Sequence, residues 1–393
     1  VRPVPEYANI EELIPPGSAK LGYTIKGKPR IFSWQRFFIE FDRFLKLAER
    51  LPVKPFRKMA IKKAEQWILD HQEADGAWGG IQPPWVYSLI ALNCLGYSTE
   101  HPVMTRGMNS FKGFSIEEGN TFRTQSCISP VWDTAWAIIA LEESGLDSGH
   151  PSLIKAGEWL ISEQISLAGD WAIKSPSLTP GGWAFEFENN WYPDIDDVAE
   201  VIIALTKVAL DRNVGEKSII RGIEWMLGMQ SNNGGWGAFD KDNMKTFATR
   251  IPFCDFGEVI DPPSVDVTAH ILELLGIRNF DPNTHDNVIS GLNYIKREQE
   301  YDGAWFGRWG VNYIYGIGAV LPALQAIGED MSQEYIQRAI IWIKSHQNKD
   351  GGWGESCASY EDPSLRGQGP STASQTSWAL LALISAGQTD TDA

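Results

Sequence analysis

One short pattern recurs along this 393-residue chain and constrains its fold more than any other feature. Trp67-Ile68 leads to Gln72, then Gly76 and Trp78; Trp225-Met226 leads to Gln230, Gly234 and Trp236. Tyr294-Ile295 leads to Gln299, Gly303 and Trp305, and Trp342-Ile343 leads to Gln347, Gly351 and Trp353. In each copy the first aromatic sits five residues before the Gln, the Gly four after it and the Trp six after it. A looser fifth copy runs Trp159, Gln164, Trp171 and, after an insertion, Gly182-Trp183. Such self-similarity is the signature of a helical repeat protein. Each copy opens as an amphipathic helix, for example over 61–72 or 339–347. The Gly ends that helix or forms the turn after it. The indole is expected to lie across the preceding helix end, with the Gln amide bonded to backbone groups the helix leaves exposed. This is a structural staple rather than a ligand site.

A second helix follows most copies and starts alike. Pro84-Trp85-Val86-Tyr87, Pro130-Val131-Trp132-Asp133, Pro193-Asp194-Ile195-Asp196-Asp197, Pro263-Ser264-Val265-Asp266 and Pro370-Ser371-Thr372 each run into a strongly apolar stretch. Proline near a helix start and a polar first turn are ordinary start signals. Helices that are apolar nearly all round should be buried. An outer amphipathic helix, a turn and an inner apolar helix then make one repeat, and such pairs close into an α/α barrel. Its inner helices run parallel, so their N-termini gather at one end. That would bring Asp133, Asp194, Asp196, Asp197, Asp266 and His270 into one neighbourhood, with His270 four residues after Asp266 on the same helix face.

Length suggests two to three domains. With 43% hydrophobic and 21% charged residues, the composition excludes a disordered chain, a collagen and a charged coiled coil. The net charge of -16 argues against nucleic acid as a main partner. The four cysteines, Cys94, Cys127, Cys254 and Cys357, are widely spaced, which fits a reducing compartment better than a disulfide framework or zinc ribbon. No apolar run reaches the roughly 18 residues a spanning helix needs.

The acidic run Asp194-Ile195-Asp196-Asp197 has a plain explanation, since Asp at an N-cap and in a first turn stabilises any helix. If the acids converge in an apolar cavity, however, they cannot all ionise cheaply, and one should hold its proton at neutral pH. A nearby His can hydrogen-bond that carboxyl group and make it a stronger donor. A magnesium site is the alternative for clustered Asp, although no GxxxxGK[ST] phosphate cradle is present. Around the acids stand Trp132, Trp183, Phe185, Trp191, Tyr192, Phe239, Phe253, Phe256, Trp309, Tyr313 and Tyr315. Most core aromatics merely pack. Those beside an acid can instead face carbocations, and alkene protonation followed by cation cyclisation needs such a dry aromatic pocket.

At these residues the chain resembles the squalene–hopene cyclases, class II triterpene cyclases, along essentially its whole length. The repeats carry the likeness together with GGIQPPWVYSLIAL (79–92), QSCISPVWDTAW (125–136), GGWAFEFENNWYPDIDDVA (181–199), IPFCDFGEVIDPPSVDVTAH (251–270) and GRWGVNYIYG (307–316). The resemblance implies an all-α fold of two α/α barrels (toroids), the first incomplete here. Residues 1–127 would be the C-terminal part of the second barrel and 128–393 most of the catalytic barrel. It implies a membrane-bound (monotopic) homodimer that folds squalene, protonates a terminal double bond and needs no metal or organic cofactor. Asp196 would be the proton donor, His270 its hydrogen-bond partner, and Asp194 and Asp197 its support, with Asp133 and Asp266 in the surrounding polar network. Trp132, Phe185 and Trp309 match cation-stabilising aromatics, and Tyr315 a site tyrosine behind them. Gln82 and Tyr87 match the patch where the last cation meets water or loses a proton. Phe253 and Cys254 match a constriction in the substrate channel.

Two departures stand out. The family motif usually continues DDTA, whereas here Asp197 is followed by Val198 and Ala199, and Phe239 stands where a Tyr is common. Family members are also much longer. The chain is therefore expected to be a partial reading that lacks part of the second barrel before Val1 and the last repeat after Ala393. A DCTA-type motif, expected of an epoxide-opening relative, is absent. A cyclase of another polyprene and a non-catalytic helical-repeat scaffold remain as alternatives.

Lys26 to Lys63 holds 12 Lys/Arg against 3 Asp/Glu. Within it Phe37, Phe38, Phe41, Phe44, Leu45, Leu47 and Leu51 recur at helical spacing. A basic, aromatic amphipathic helix can lie in a membrane interface, or it can pack on its own barrel with solvated charges. The resemblance favours the membrane, and with the free cysteines it places the protein on the cytoplasmic face of a bacterial inner membrane.

Overall fold

The computed structural model describes residues 30–48, 50, 54–251 and 259–389. Phe253, Cys254, Phe256 and Leu51, singled out above, lie outside them. Among the described residues the chain is helical apart from one short hairpin, β1 (Ser115–Glu118) and β2 (Thr121–Thr124), paired antiparallel with Ser115 opposite Thr124. Two compact units form, 1–127 with 245–260, and 128–244 with 261–393. The described residues of 245–260 pack with the first of these units.

In the first unit, α1 (Trp34–Ala48) meets the segment 248–250, with the Trp34 and Phe247 rings 5.5 Å apart. Three helices follow, α2 (Arg57–Asp70), α3 (Gln82–Leu95) and α4 (Pro102–Ser110), and α3 packs on α4. Trp85 is fully buried and donates its indole N–H to Gly107 O at 2.9 Å, edge-on to Phe111 and Phe114.

In the second unit, α5 (Pro130–Glu143), α7 (Ile195–Thr206), α9 (Val265–Ile277), α11 (Tyr313–Ala326) and α13 (Ala373–Ser385) pack side by side in chain order. Outside this inner row lie α6 (Pro151–Ser162), α8 (Arg212–Gly228), α10 (Asp286–Glu298) and α12 (Glu334–Ser345). This is the inner and outer layering of an α/α toroid. The inner helices are apolar because they have neighbours on several sides.

The repeats form the expected staple, with more reach than the sequence suggests. The Trp78, Trp236, Trp305 and Trp353 indoles donate to Ile68 O, Met226 O, Ile295 O and Ile343 O, each ten residues back, at 2.6 to 2.9 Å. Each bond satisfies a carbonyl at the end of an outer helix. The turn glycines Gly76, Gly234, Gly303 and Gly351 take φ of +99°, +94°, +98° and +86°. That left-handed backbone is open to Gly at little cost. Gln72, Gln230 and Gln299 each give one amide hydrogen to their own turn and the other to the next outer helix, at Val103 O, Asn287 O and Tyr335 O. Each Gln therefore ties two successive outer helices.

The fifth copy keeps the device across its insertion. Gln164 donates to Gly181 O and Ser218 O, and Trp183, not Trp171, donates to the helix-end carbonyl Leu160 O. Trp171 packs edge-on to Trp225 instead.

Candidate active site

The staple also sets where each inner helix begins. Asp194 N donates to Trp183 O at 2.7 Å, Ser264 N to Trp236 O at 3.0 Å, and Thr372 N to Trp353 O at 3.0 Å. The repeat Trp thus holds the cap of the following inner helix. On α7 that cap is Asp194, whose Oδ1 accepts the Asp196 N–H at 2.8 Å, as an N-cap should. The plain reading of one Asp is therefore correct, and it does not exhaust the other two. Asp196 and Asp197 sit in the first turn, and every residue of α7 from Ile195 to Leu205 is buried.

His270, in the second turn of α9, comes from 74 residues away. Its Nδ1 lies 2.7 Å from Asp196 Oδ1 and 3.8 Å from Glu200 Oε1. The Trp132 ring (α5) and the Tyr315 ring (α11) approach the imidazole at 6.4 and 6.2 Å. Tyr315 is backed edge-on by Trp378 at 4.8 Å. Four inner helices therefore converge on one acid–imidazole pair.

Charge follows from burial. Loss of water raises the Asp194 carboxyl well above the usual range, with repulsion from Asp196 next. Asp197 is raised likewise by burial, then by Asp194 and Asp196, and neither of its oxygens has a hydrogen-bond partner among the described residues. Burial pushes Glu200 up to about 8. For His270 burial works the other way, but attraction to Asp196 and the hydrogen bond with it prevail, and the imidazole is pushed up to about 10. Burial thus favours the neutral form of Asp194, Asp197 and Glu200, and contact with Asp196 favours the charged form of His270.

Asp266 is fully buried and holds a loop. Its Oδ2 accepts Arg308 N–H at 2.9 Å and Trp309 N–H at 2.8 Å. The same loop closes on Tyr315, where a Cβ at Gly310 or Gly307 would stand 2.5 or 2.8 Å from the ring. Asp261, unremarked in the sequence, holds a second loop. Its Oδ2 accepts Phe239 N–H at 2.7 Å and Asp240 N–H at 2.8 Å. The two carboxylates so fix two rings, and Phe239 meets Trp309 edge-on at 6.0 Å. Trp309 keeps half of its surface exposed.

The other expected residues divide. Phe185 is half-buried in the loop between Trp183 and Asp194. Asp133 is exposed on α5 and accepts a 3.1 Å hydrogen bond from Ser129 Oγ, so it meets the cluster only through its charge, which helps raise Asp197. Gln82 and Tyr87 are on α3 of the first unit, where the Gln82 amide bonds Gln125 O and Tyr87 is exposed. Glu200 and Glu355 escaped the sequence reading as well. Glu355 Oε2 receives the Asn312, Tyr313 and Ile314 N–H groups at 3.3, 2.9 and 3.1 Å. It caps α11, the helix of Tyr315, from a loop two elements later. Two residues past the repeat Trp353, it had a usable signal in its place next to the staple. Among the described residues no group of His, Cys, Asp and Glu has the arrangement to hold a metal ion.

The Val198 departure gains a meaning. Thr268 Oγ1 accepts the Trp236 N–H and Thr376 Oγ1 the Trp353 N–H, each at 3.0 Å. Both threonines stand four residues after their helix cap, where α7 has Val198. The hydroxyl missing from the motif therefore belongs to the staple at Trp183 rather than to the acid.

Fold and site define a helical-toroid protein with a buried acid–imidazole pair under aromatic rings. The family model described as "Squalene-hopene cyclase C-terminal domain" matches residues 128–393, and that described as "Squalene-hopene cyclase N-terminal domain" matches 1–120. The chain belongs to the squalene–hopene cyclase family. It is 48% identical to the squalene–hopene cyclase of Alicyclobacillus acidocaldarius, over all of this chain and 62% of the relative. It is 46% identical to the dammaradiene synthase of Dryopteris crassirhizoma, over 93% of this chain and 56% of that protein. With the Zymomonas mobilis squalene–hopene cyclase it shares 40%, over 92% and 56%. The chain thus spans roughly six-tenths of the length of these curated relatives.

Proposed function

We propose that this protein belongs to an enzyme that cyclises squalene to hopene or hopanol, with Asp196 as the proton donor. The observation that carries the reading is the 2.7 Å contact of Asp196 Oδ1 with His270 Nδ1 inside a buried acid cluster. In this reading Asp196 carries the proton when substrate binds, and with Oδ1 bonded to His270 Nδ1 its second oxygen passes that proton to the terminal alkene. The alkene π electrons form the new C–H bond and leave a tertiary carbocation. The Asp196 carboxylate that remains is stabilised by His270, and its neighbours stay neutral and do not oppose it. Trp132, Phe185, Phe239 and Trp309 offer π-faces to the cations that follow, with Tyr315 behind them. The last cation loses a proton or takes up water, the step assigned to Gln82 and Tyr87. A different skeleton from the same substrate class is the second reading, favoured by the 46% identity to a dammaradiene synthase.

We also propose that α1 rests on a membrane on its cytoplasmic face, in a homodimer. Phe37, Phe41, Phe44 and Leu47 are exposed on α1, and the Phe37, Phe41 and Phe44 rings form a ladder with 6.0 and 6.4 Å steps. Arg36, Arg43 and Lys46 lie among them. Among the described residues no helix is long and apolar enough to cross a membrane.

Incubation with squalene in mild detergent, read by gas chromatography–mass spectrometry, tests the chemistry. The parent is expected to form pentacyclic product and Asp196→Asn to lose at least about 100-fold in rate. Equal product from both would remove Asp196 from its role.

A further inference from the structure

The cluster contains a carboxyl group that the proton transfer does not use. Glu200 lies four residues after Asp196 on α7, on the same face. Its Oε1 is 3.8 Å from His270 Nδ1, the nitrogen that contacts Asp196 at 2.7 Å. The residue is only 3% exposed. One imidazole nitrogen therefore faces two carboxyls and has a single hydrogen to give. We propose that Glu200 is a positioning residue that acts through His270: neutral, it leaves the N–H on Asp196; ionised, it competes for that N–H and draws the imidazolium away from the proton donor. The catalytic half of this inference rests on Asp196 as the donor, whereas the sharing of the imidazole needs only the fold.

The groups around Glu200 decide how the competition runs. On its own helix are Asp196 and Asp197. On α9 are His270 and Glu273, and on α11 is Tyr315, whose hydroxyl senses the Glu200 charge. On α5, packed against α7, Asp133 is bonded to Ser129, and Glu142 and Glu143 are taken by Lys207. His270 is the cation among the groups that act on Glu200, and Glu273 and Asp196 repel it. Burial pushes Glu200 up to about 8, whereas His270 stays charged to about 10. Between these values an ionised Glu200 faces a charged imidazole. The alkaline limit of catalysis then reports Glu200, not His270.

The experiment uses the chain labelled with ¹⁵N-histidine and follows the His270 ring between pH 5.5 and 10.5, assigned with His270→Gln. The parent is expected to show a step near pH 8 while the ring remains charged, and E200Q to lack it. In turnover assays the alkaline limb of E200Q should move up by at least one pH unit, so that its rate at pH 9 relative to pH 6 rises about tenfold. A structural role alone lowers rates at every pH and moves no limb. A step that persists in E200Q, or an unmoved limb, overturns the proposal. Should E200Q fail to fold, E200D keeps the carboxyl one methylene further from the ring, and the step should shrink. An unchanged step there overturns the proposal too. If squalene is not turned over, the ring titration still decides the sharing, so failure of the substrate reading and failure of this inference are told apart.

Discussion

Helices α7 and α13 are built by the same device and end in different environments. Both follow a repeat turn, and both are capped by a residue whose N–H is held by the repeat Trp, Asp194 by Trp183 and Thr372 by Trp353. Both caps use a side-chain oxygen, Asp194 toward Asp196 N and Thr372 toward Gln375 N. Yet α7 buries eleven consecutive residues, whereas α13 buries four and leaves Leu380, Leu381 and Ile384 exposed. The first turn of α13 carries Gln375, whose amide bonds Val311 O and Glu355 O and serves the scaffold. The first turn of α7 carries two carboxyl groups that the scaffold does not use. The device positions a helix start, and the residues of that first turn together with their surroundings decide whether it bears a buried acid.

Replacing the two staple tryptophans makes the sharpest test. Trp183→Ala and Trp353→Ala each remove a fully buried indole and are expected to cost about 3–5 kcal/mol in urea unfolding. They should differ at the site. Only Trp183→Ala loosens the backbone whose carbonyl holds the Asp194 N–H, by removing the indole bond to Leu160 O, so only it should shift the His270 ring resonance. Equal shifts from both would mean that the staple does not set the acid.

The pH dependence of stability separates the helices further. Asp194, Asp197 and Glu200 are all raised above their unfolded values, so the folded state binds extra protons once pH exceeds the ordinary carboxylate range, up to about 8 in the case of Glu200. Stability falls over that window by about 1.4 kcal/mol per pH unit for each such proton. His270 is also raised, so its contribution is complete below about 6.5 and disappears as pH rises to about 10. The melting temperature should decline from pH 5 to 9, and E200Q should flatten the part below pH 8. Gln375 on α13 carries no titratable group, so Gln375→Ala should leave the slope as it was.

The smallest effect concerns one hydroxyl. Thr376→Val removes the acceptor for the Trp353 N–H and should cost about 1 kcal/mol. Val198→Thr supplies such an acceptor to Trp183 and should gain a similar amount. A loss of turnover in Val198→Thr without a gain in stability would return that hydroxyl to the acid.

Much of this was legible in the chain. The spacing of Gln72, Gly76 and Trp78 and its copies implied the staple, because one turn geometry demands the same three residues each time. The acids of α7 and His270 could be placed together because parallel inner helices must start at one end. Asp133 stands near the acids of α7, since its charge helps raise Asp197, but its own side chain is exposed on α5 and bonded to Ser129. Glu200 and Asp261 were passed over because a lone acid on a helix or in a loop looks solvated until its neighbours are known.

The sequence by itself determined the repeat, the inner and outer helices and the end of the molecule where the carboxyls collect, since these follow from periodicity and turn chemistry along the chain. Only the tertiary structure decided which carboxyls lose water, which one meets His270, and which merely tie down the Phe239 and Trp309 loops. Desolvation and a 2.7 Å contact between residues 74 positions apart are properties of packing, and no local pattern of residues encodes them.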